Sequence, residues 1–171
     1  MTNKEFFIQT WQSEIPRTLS AINGLPNDMT KLNYKCDEKA RSAAAILGHA
    51  LGHAEAMCNA TDNFIADEKS VYKPFRTKED IVAYFNRYAC LLVNKLSSVD
   101  DRTWDEQRID YQVDGHSLFA YPMSNTFWML LFDIIHHRGQ LSTYYRHMGV
   151  RNPQIYGPTA EDMEEMAALQ N

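Results

Sequence analysis

Leu130-Leu131-Phe132-Asp133-Ile134-Ile135-His136-His137-Arg138-Gly139-Gln140 sets a carboxylate and an imidazole four residues apart inside a strongly apolar helical run. At that spacing Asp133 and His137 lie one above the other on a single helix face. An ionised Asp among Leu, Ile and Phe costs several kcal/mol unless it is paired or binds a metal. Asp133-x-x-x-His137 is therefore half of a metal site or, more plainly, a carboxylate in a salt bridge with Arg138 or Arg146.

The rest of the chain reads as helices around this one. A first helix is expected over roughly 3–23, with Phe6, Phe7, Trp11, Ile15, Leu19 and Ile22 near helical period and Pro16 predicting a kink or a re-start. A second runs from Asp37 or Ser42 to Ala60. A third opens at Thr77, where Thr77-Lys78-Glu79-Asp80 is a capping box with Asp in place of Glu. The fourth carries the quoted run, capped by Ser124 or Asn125 and ending at Met148 before Gly149. Thr159 caps a short tail helix. Residues 99–122 hold a turn at Gln112-Val113-Asp114-Gly115-His116 and form either a hairpin or an irregular crossover. The expected fold is all-α: one domain over residues 1–171, a four-helix bundle with a long crossover between the third and fourth helices.

Bulk properties narrow the function. A chain of 171 residues with 44% hydrophobic and 23% charged residues suits a single globular domain with its own core. Its 7 Gly and 6 Pro favour helices over sheet. A net charge of -5 and the lack of a basic cluster argue against nucleic acid. No apolar run is long enough to span a bilayer, and the start lacks a signal peptide's apolar core. Cys36, Cys58 and Cys90 are odd in number and widely spaced, which points to a reducing, cytoplasmic setting.

The second helix supplies a partner for the quoted run. Ile46-Leu47-Gly48-His49-Ala50-Leu51-Gly52-His53-Ala54-Glu55 holds another i, i+4 pair, and its small residues predict close approach of a neighbouring helix. A bundle can bring His49 to Asp133 and His137. Two imidazoles and a carboxylate with open positions suit Ni, Zn, Mn or Fe(II). His49 can equally be a core or surface histidine, and His53 reads as an edge or outer residue. His136 projects about 100° from His137 on an ideal helix, so it is expected to pack or hydrogen-bond rather than bind the same ion. Gly139 is costly inside a helix and predicts a close backbone or ligand. Tyr144 lies on roughly the face of His137, able to contact a substrate or to cap the core.

His136-His137-Arg138-Gly139-Gln140-Leu141-Ser142-Thr143-Tyr144, then Met148-Gly149 and Pro153-Gln154-Ile155-Tyr156-Gly157-Pro158, resembles the signature end of the DinB family, part of the DinB/YfiT group of metal-dependent enzymes. Leu47-Gly48-His49 with Glu55 resembles that family's second-helix histidine segment. The resemblance implies an up-down-down-up bundle, commonly a homodimer, with nickel or zinc held by three histidines. Carried over, the ligands are His49, Asp133 and His137, and Asp133 departs from the three-histidine pattern. The related mycothiol-dependent isomerases are similar in using two His and a Glu. The resemblance further implies a small-molecule substrate and a low-molecular-weight thiol cosubstrate in transfer or hydrolysis, with His53 or Tyr144 as proton donor or substrate contact. The competing expectation is a non-catalytic, dimeric stress-response or interaction scaffold holding a buried polar cluster.

Overall fold

Thr2, Ser42, Thr77 and Thr159 each accept a hydrogen bond from the backbone N–H three residues on, and each starts a helix. At Thr2, Thr77 and Thr159 the acidic residue in that third position bonds back, completing the capping box. In the computed structural model, which describes residues 1–72 and 74–169, these helices are α1 (Asn3–Gly24), α2 (Ala43–Asn63), α3 (Lys78–Ser98) and, after two further helices, α6 (Ala160–Ala168). The short α4 (Asp101–Glu106) is capped by Asp100, and α5 (Met123–Ser142) carries the quoted run. α1 continues as one helix past Pro16 without re-starting.

α5 departs from expectation at both ends. It has no side-chain cap, because the chain enters it directly from a strand and the Met123 N–H is taken by the Gln107 carbonyl at 2.8 Å. Ser124 and Asn125 thus lie inside the helix. It stops at Ser142, and a series of turns carries the chain to Gly149, whose φ of +78° suits a residue without Cβ.

The four long helices share one core. α1 packs on α3 and α5, and α2 packs on the same two. Phe7, Trp11, Met57, Phe85, Leu92 and Phe127 are all buried there, each contributing about 1.5–3 kcal/mol by leaving water. The Trp11 indole N–H, which needs a partner when buried, donates to the Ala89 carbonyl at 3.1 Å.

The expectation of an all-α fold needs correction. Residues 65–122 contribute a three-stranded sheet of β1 (Ile65–Glu68), β2 (Arg108–Val113) and β3 (His116–Pro122), ordered β1-β2-β3. β2 and β3 form a hairpin in which Asp114 (φ +51°) and Gly115 (φ +79°) take the positive dihedrals of a tight two-residue turn. β1 pairs with β2 in parallel, Ile65 opposite Asp110 and Glu68 opposite Val113. Four residues are too few for a legible alternation, so β1 gave no sequence signal. It lies against α2 and turns Glu68 inward.

Two glycine expectations come out differently. Gly48 and Gly52 do not admit a helix. They admit Tyr72, which lies so close across them that a Cβ at Gly48 would stand 2.7 Å from the Tyr72 Cβ. Gly139 faces open space, with nothing within 4 Å of where its Cβ would be.

Arg138 explains much of the motif that follows His137. Its guanidinium is buried and donates to Glu14 at 2.5 Å, to Thr18 at 3.0 Å and to the Tyr156 hydroxyl at 2.5 Å. Tyr156 in turn donates to Glu14 at 2.8 Å, with the Arg17 and Arg138 guanidinium carbons 5.0 and 5.1 Å from its ring centroid. The tail after α5 is thereby fastened to α1. Arg138→Ala removes the buried cation on Glu14, leaving that carboxylate with Arg17 at 3.1 Å and Tyr156, and is expected to lower unfolding free energy by about 2–3 kcal/mol. Tyr156→Phe, which removes one hydroxyl, should cost about 1 kcal/mol. Urea titration measures both, and an Arg138→Ala protein as stable as the parent would contradict the assignment.

Candidate metal centre

The i, i+4 spacing on α2 puts His49 and His53 on one face, their ring centroids 4.6 Å apart. The same spacing on α5 puts Asp133 beside His137. Where α2 packs on α5, the four side chains meet. Asp133 Oδ2 lies 3.2 Å from His49 Nε2, 2.6 Å from His53 Nε2 and 3.2 Å from His137 Nε2. His49, His53 and Asp133 present ligand atoms all within 4.8 Å of one another, a set that can hold a metal ion. His137 closes on the same oxygen, with its ring 4.7 Å from that of His49.

His53 is therefore no edge residue: its side chain is only 1% exposed. Tyr144 stays away from the cluster, its hydroxyl 3.1 Å from Cys36 Sγ and donating to the Arg41 carbonyl at 3.2 Å. Neither Arg138 nor Arg146 pairs with Asp133, since they bind Glu14 and Glu161.

The opposite nitrogens of the three rings are also held. Glu68, 3% exposed, reaches His53 Nδ1 with one carboxylate oxygen and stands 3.5 Å from His49 Nδ1 with the other. His137 Nδ1 donates to Gln140 Oε1 at 2.8 Å, and the Gln140 amide donates to His136 Nε2 at 2.9 Å. Glu68 was missed in the sequence because it is the last residue of a four-residue strand with no motif around it. Gln140 was quoted with the motif but has its role only in three dimensions.

These outer bonds decide the electrostatics. An imidazole that donates from Nδ1 carries a bare lone pair on Nε2 unless it is cationic. With the proton of each ring on Nδ1, three Nε2 lone pairs would face one carboxylate oxygen, and the cluster would need either protons or a cation between them. Protonating all three rings would crowd three positive charges together. Two neutral-pH carboxylates, Asp133 and Glu68, instead match the charge of a divalent ion. Ligand atoms about 2.1 Å from one tetrahedral ion stand about 3.4 Å apart. The 3.2 Å separations of His49 and His137 from Asp133 fit that spacing, and the shorter His53 contact is that of a shared proton.

Without metal, His53 holds that proton. Burial pulls its pKa down, but the bonds to Asp133 and Glu68 outweigh this and raise it. Asp133 moves the opposite way: burial would raise its pKa, and the imidazoles of His137, His49 and His53 gathered at its carboxylate, His53 at 2.6 Å, bring it well below the carboxylate range. The raised His53 stabilises the fold below its unfolded pKa, about 6.5, and the benefit disappears as pH rises through the folded value. The depressed Asp133 stabilises above about 3.9 and loses its effect on acidification. Chelator-treated protein should thus melt highest between about pH 4 and 6.5 and lose Tm toward alkaline pH. A Tm that does not fall above neutrality would contradict the bridging proton.

Two clefts reach the cluster. One of about 820 Å³ opens on His53 and Asp133, and one of about 550 Å³ opens on His49 and Glu68; Tyr111 lines both. Among the described residues no helix is long and apolar enough to cross a membrane.

Comparison with known proteins agrees with this architecture. A DinB-like protein from Bacillus cereus superposes with a TM-score of 0.70 at 19% identity, covering 89% of this chain and 97% of its own. A DinB-like protein from Bacillus subtilis gives 0.65 at 20% identity, covering 90% and 99%. No curated protein matches the chain. The sequence model of the DinB family matches residues 1–170, nearly the whole length, and the chain belongs to that family.

Proposed function

We propose that this chain is a metal-dependent enzyme acting on a small molecule, in which His49, His137 and Asp133 bind a divalent ion (Ni, Zn, Mn or Fe) and His53 supplies a further imidazole. The observation that carries the reading is the convergence of three Nε2 atoms on Asp133 Oδ2 while Glu68 and Gln140 occupy the Nδ1 side. Histidine ligands are ordinarily oriented by such acceptors. Around the site, α1, α2, α3 and α5 are read as a four-helix bundle of up-down-down-up course.

A bound ion would supply Lewis acidity, polarising a substrate oxygen or thiol and lowering the pKa of a coordinated water. The protein's own residues do the rest. Glu68 fixes the two α2 imidazoles and takes the Nδ1 protons. Gln140 fixes His137. The proton that His53 shares with Asp133 would have to leave for an ion to bind, so binding would release protons and weaken on acidification. Tyr111 lines both clefts, and burial together with the nearby Glu68 carboxylate raises its pKa. Tyr144, engaged with Cys36 and Arg41, is assigned to holding the 34–41 loop. Family membership supports transferase or hydrolase chemistry with a low-molecular-weight thiol as cosubstrate, and a homodimer. The thiols of Cys36, Cys58 and Cys90 are free in the structure and agree with a cytoplasmic setting.

One observation favours the alternative, a non-catalytic stress-response or interaction scaffold: His53 lies between the Glu68 and Asp133 carboxylates, a charge-balanced polar cluster without any metal. Metal analysis separates the two. Purified protein, or protein reconstituted with these ions, should carry close to one ion per chain. His49→Ala and His137→Ala should lose most of it while remaining folded. Glu68→Gln should weaken affinity about 10–100-fold. Failure to take up Ni, Zn, Mn or Fe would overturn the enzymatic reading and leave the scaffold.

A further inference from the structure

The larger cleft has a composition of its own. The β2–β3 hairpin contributes Tyr111 and Phe119, stacked with centroids 4.7 Å apart and planes at 11°. α5 contributes Trp128 and Phe132, stacked at 5.5 Å and 29°. Asp133 and His53 line the same cleft, so the aromatic walls end at the cluster. Its 820 Å³ is within the range of small-molecule sites.

The walls are built rather than incidental. The Trp128 indole N–H donates at 3.1 Å to Asn3 Oδ1, which also accepts from Trp104 at 2.9 Å, so the ring is pinned to the start of α1. Phe6 packs on that ring in a tilted arrangement at 5.5 Å, and Phe7 meets it edge-to-face at 5.2 Å. Tyr111 is held in the sheet between Ala66 and Phe119. Phe132 is nevertheless 59% exposed, and a bare ring on a helix beside a polar cluster is costly to leave in water. Neither Lys nor Arg lines this cleft, whereas Arg41 and Lys69 line the smaller one. Away from the cluster, an anionic group therefore meets no Lys or Arg here.

We infer that this cleft binds a molecule with an uncharged aromatic ring, held among Tyr111, Phe119, Trp128 and Phe132, and an oxygen or sulfur donor directed at the His53–Asp133 cluster. The inference rests on the proposed metal site for the donor end and on the aromatic walls for the ring end. Hydroxamates probe both ends with zinc-reconstituted protein. Benzohydroxamate should bind about tenfold tighter than acetohydroxamate by calorimetry, the advantage of one well-stacked ring. Phe119→Ala and Phe132→Ala, both at partly or largely exposed positions, should erase that preference while leaving zinc content and acetohydroxamate affinity unchanged. Equal affinity of the two hydroxamates would overturn the aromatic assignment and leave the metal site standing. Should the protein take no zinc, the proposed function fails and 2-naphthol decides the ring end alone. Saturable binding lost in Phe119→Ala would uphold the cleft, and no saturable binding would overturn it.

Discussion

Three imidazole nitrogens and one carboxylate oxygen crowd together where α2 meets α5, and their mutual repulsion is the constraint that organises the rest of this protein. The groups are tolerated because each ring is fixed from behind. Glu68 stands behind His49 and His53, and Gln140 accepts from His137, so the three Nε2 atoms face inward. The three-stranded sheet has its clearest purpose here. β1 is short and weakly patterned, but it delivers a buried carboxylate to the back of two histidines, and the β2–β3 hairpin delivers Tyr111 to that carboxylate.

The motif around His137 divides its labour by helix geometry. His137 faces α2 and the cluster, while Arg138, one residue on and about 100° around the helix, faces α1 and Glu14. Gly139 points to solvent, and Gln140 returns to the face of His136 and His137. Binding chemistry and the fastening of the tail through Tyr156 thus come from consecutive residues on one turn. Substitution at Arg138 would reach the site only through the fold, whereas substitution at Gln140 would act on the imidazole directly.

Much of this was legible in the sequence. The two i, i+4 pairs on apolar helices singled out His49, His53, Asp133 and His137, and capping boxes marked the starts of α3 and α6. What sequence could not carry is long-range. Glu68 gains its role from parallel pairing with residues more than forty positions later. His53 looked peripheral because its burial depends on Tyr72 and β1 covering α2, neither of which local periodicity reveals. Tyr144 was placed by extending α5 to Met148. The helix ends at Ser142, and the turns after it carry that hydroxyl to Cys36.

X-ray absorption at the metal edge of zinc- or nickel-reconstituted protein tests the central claim most directly, because outer-shell scattering counts imidazoles. The account predicts three histidine nitrogens and at least one carboxylate oxygen in the coordination sphere, with one histidine lost in His53→Ala. A sphere of oxygen ligands with one imidazole or none would contradict it, placing the ion elsewhere and leaving the cluster to its shared proton.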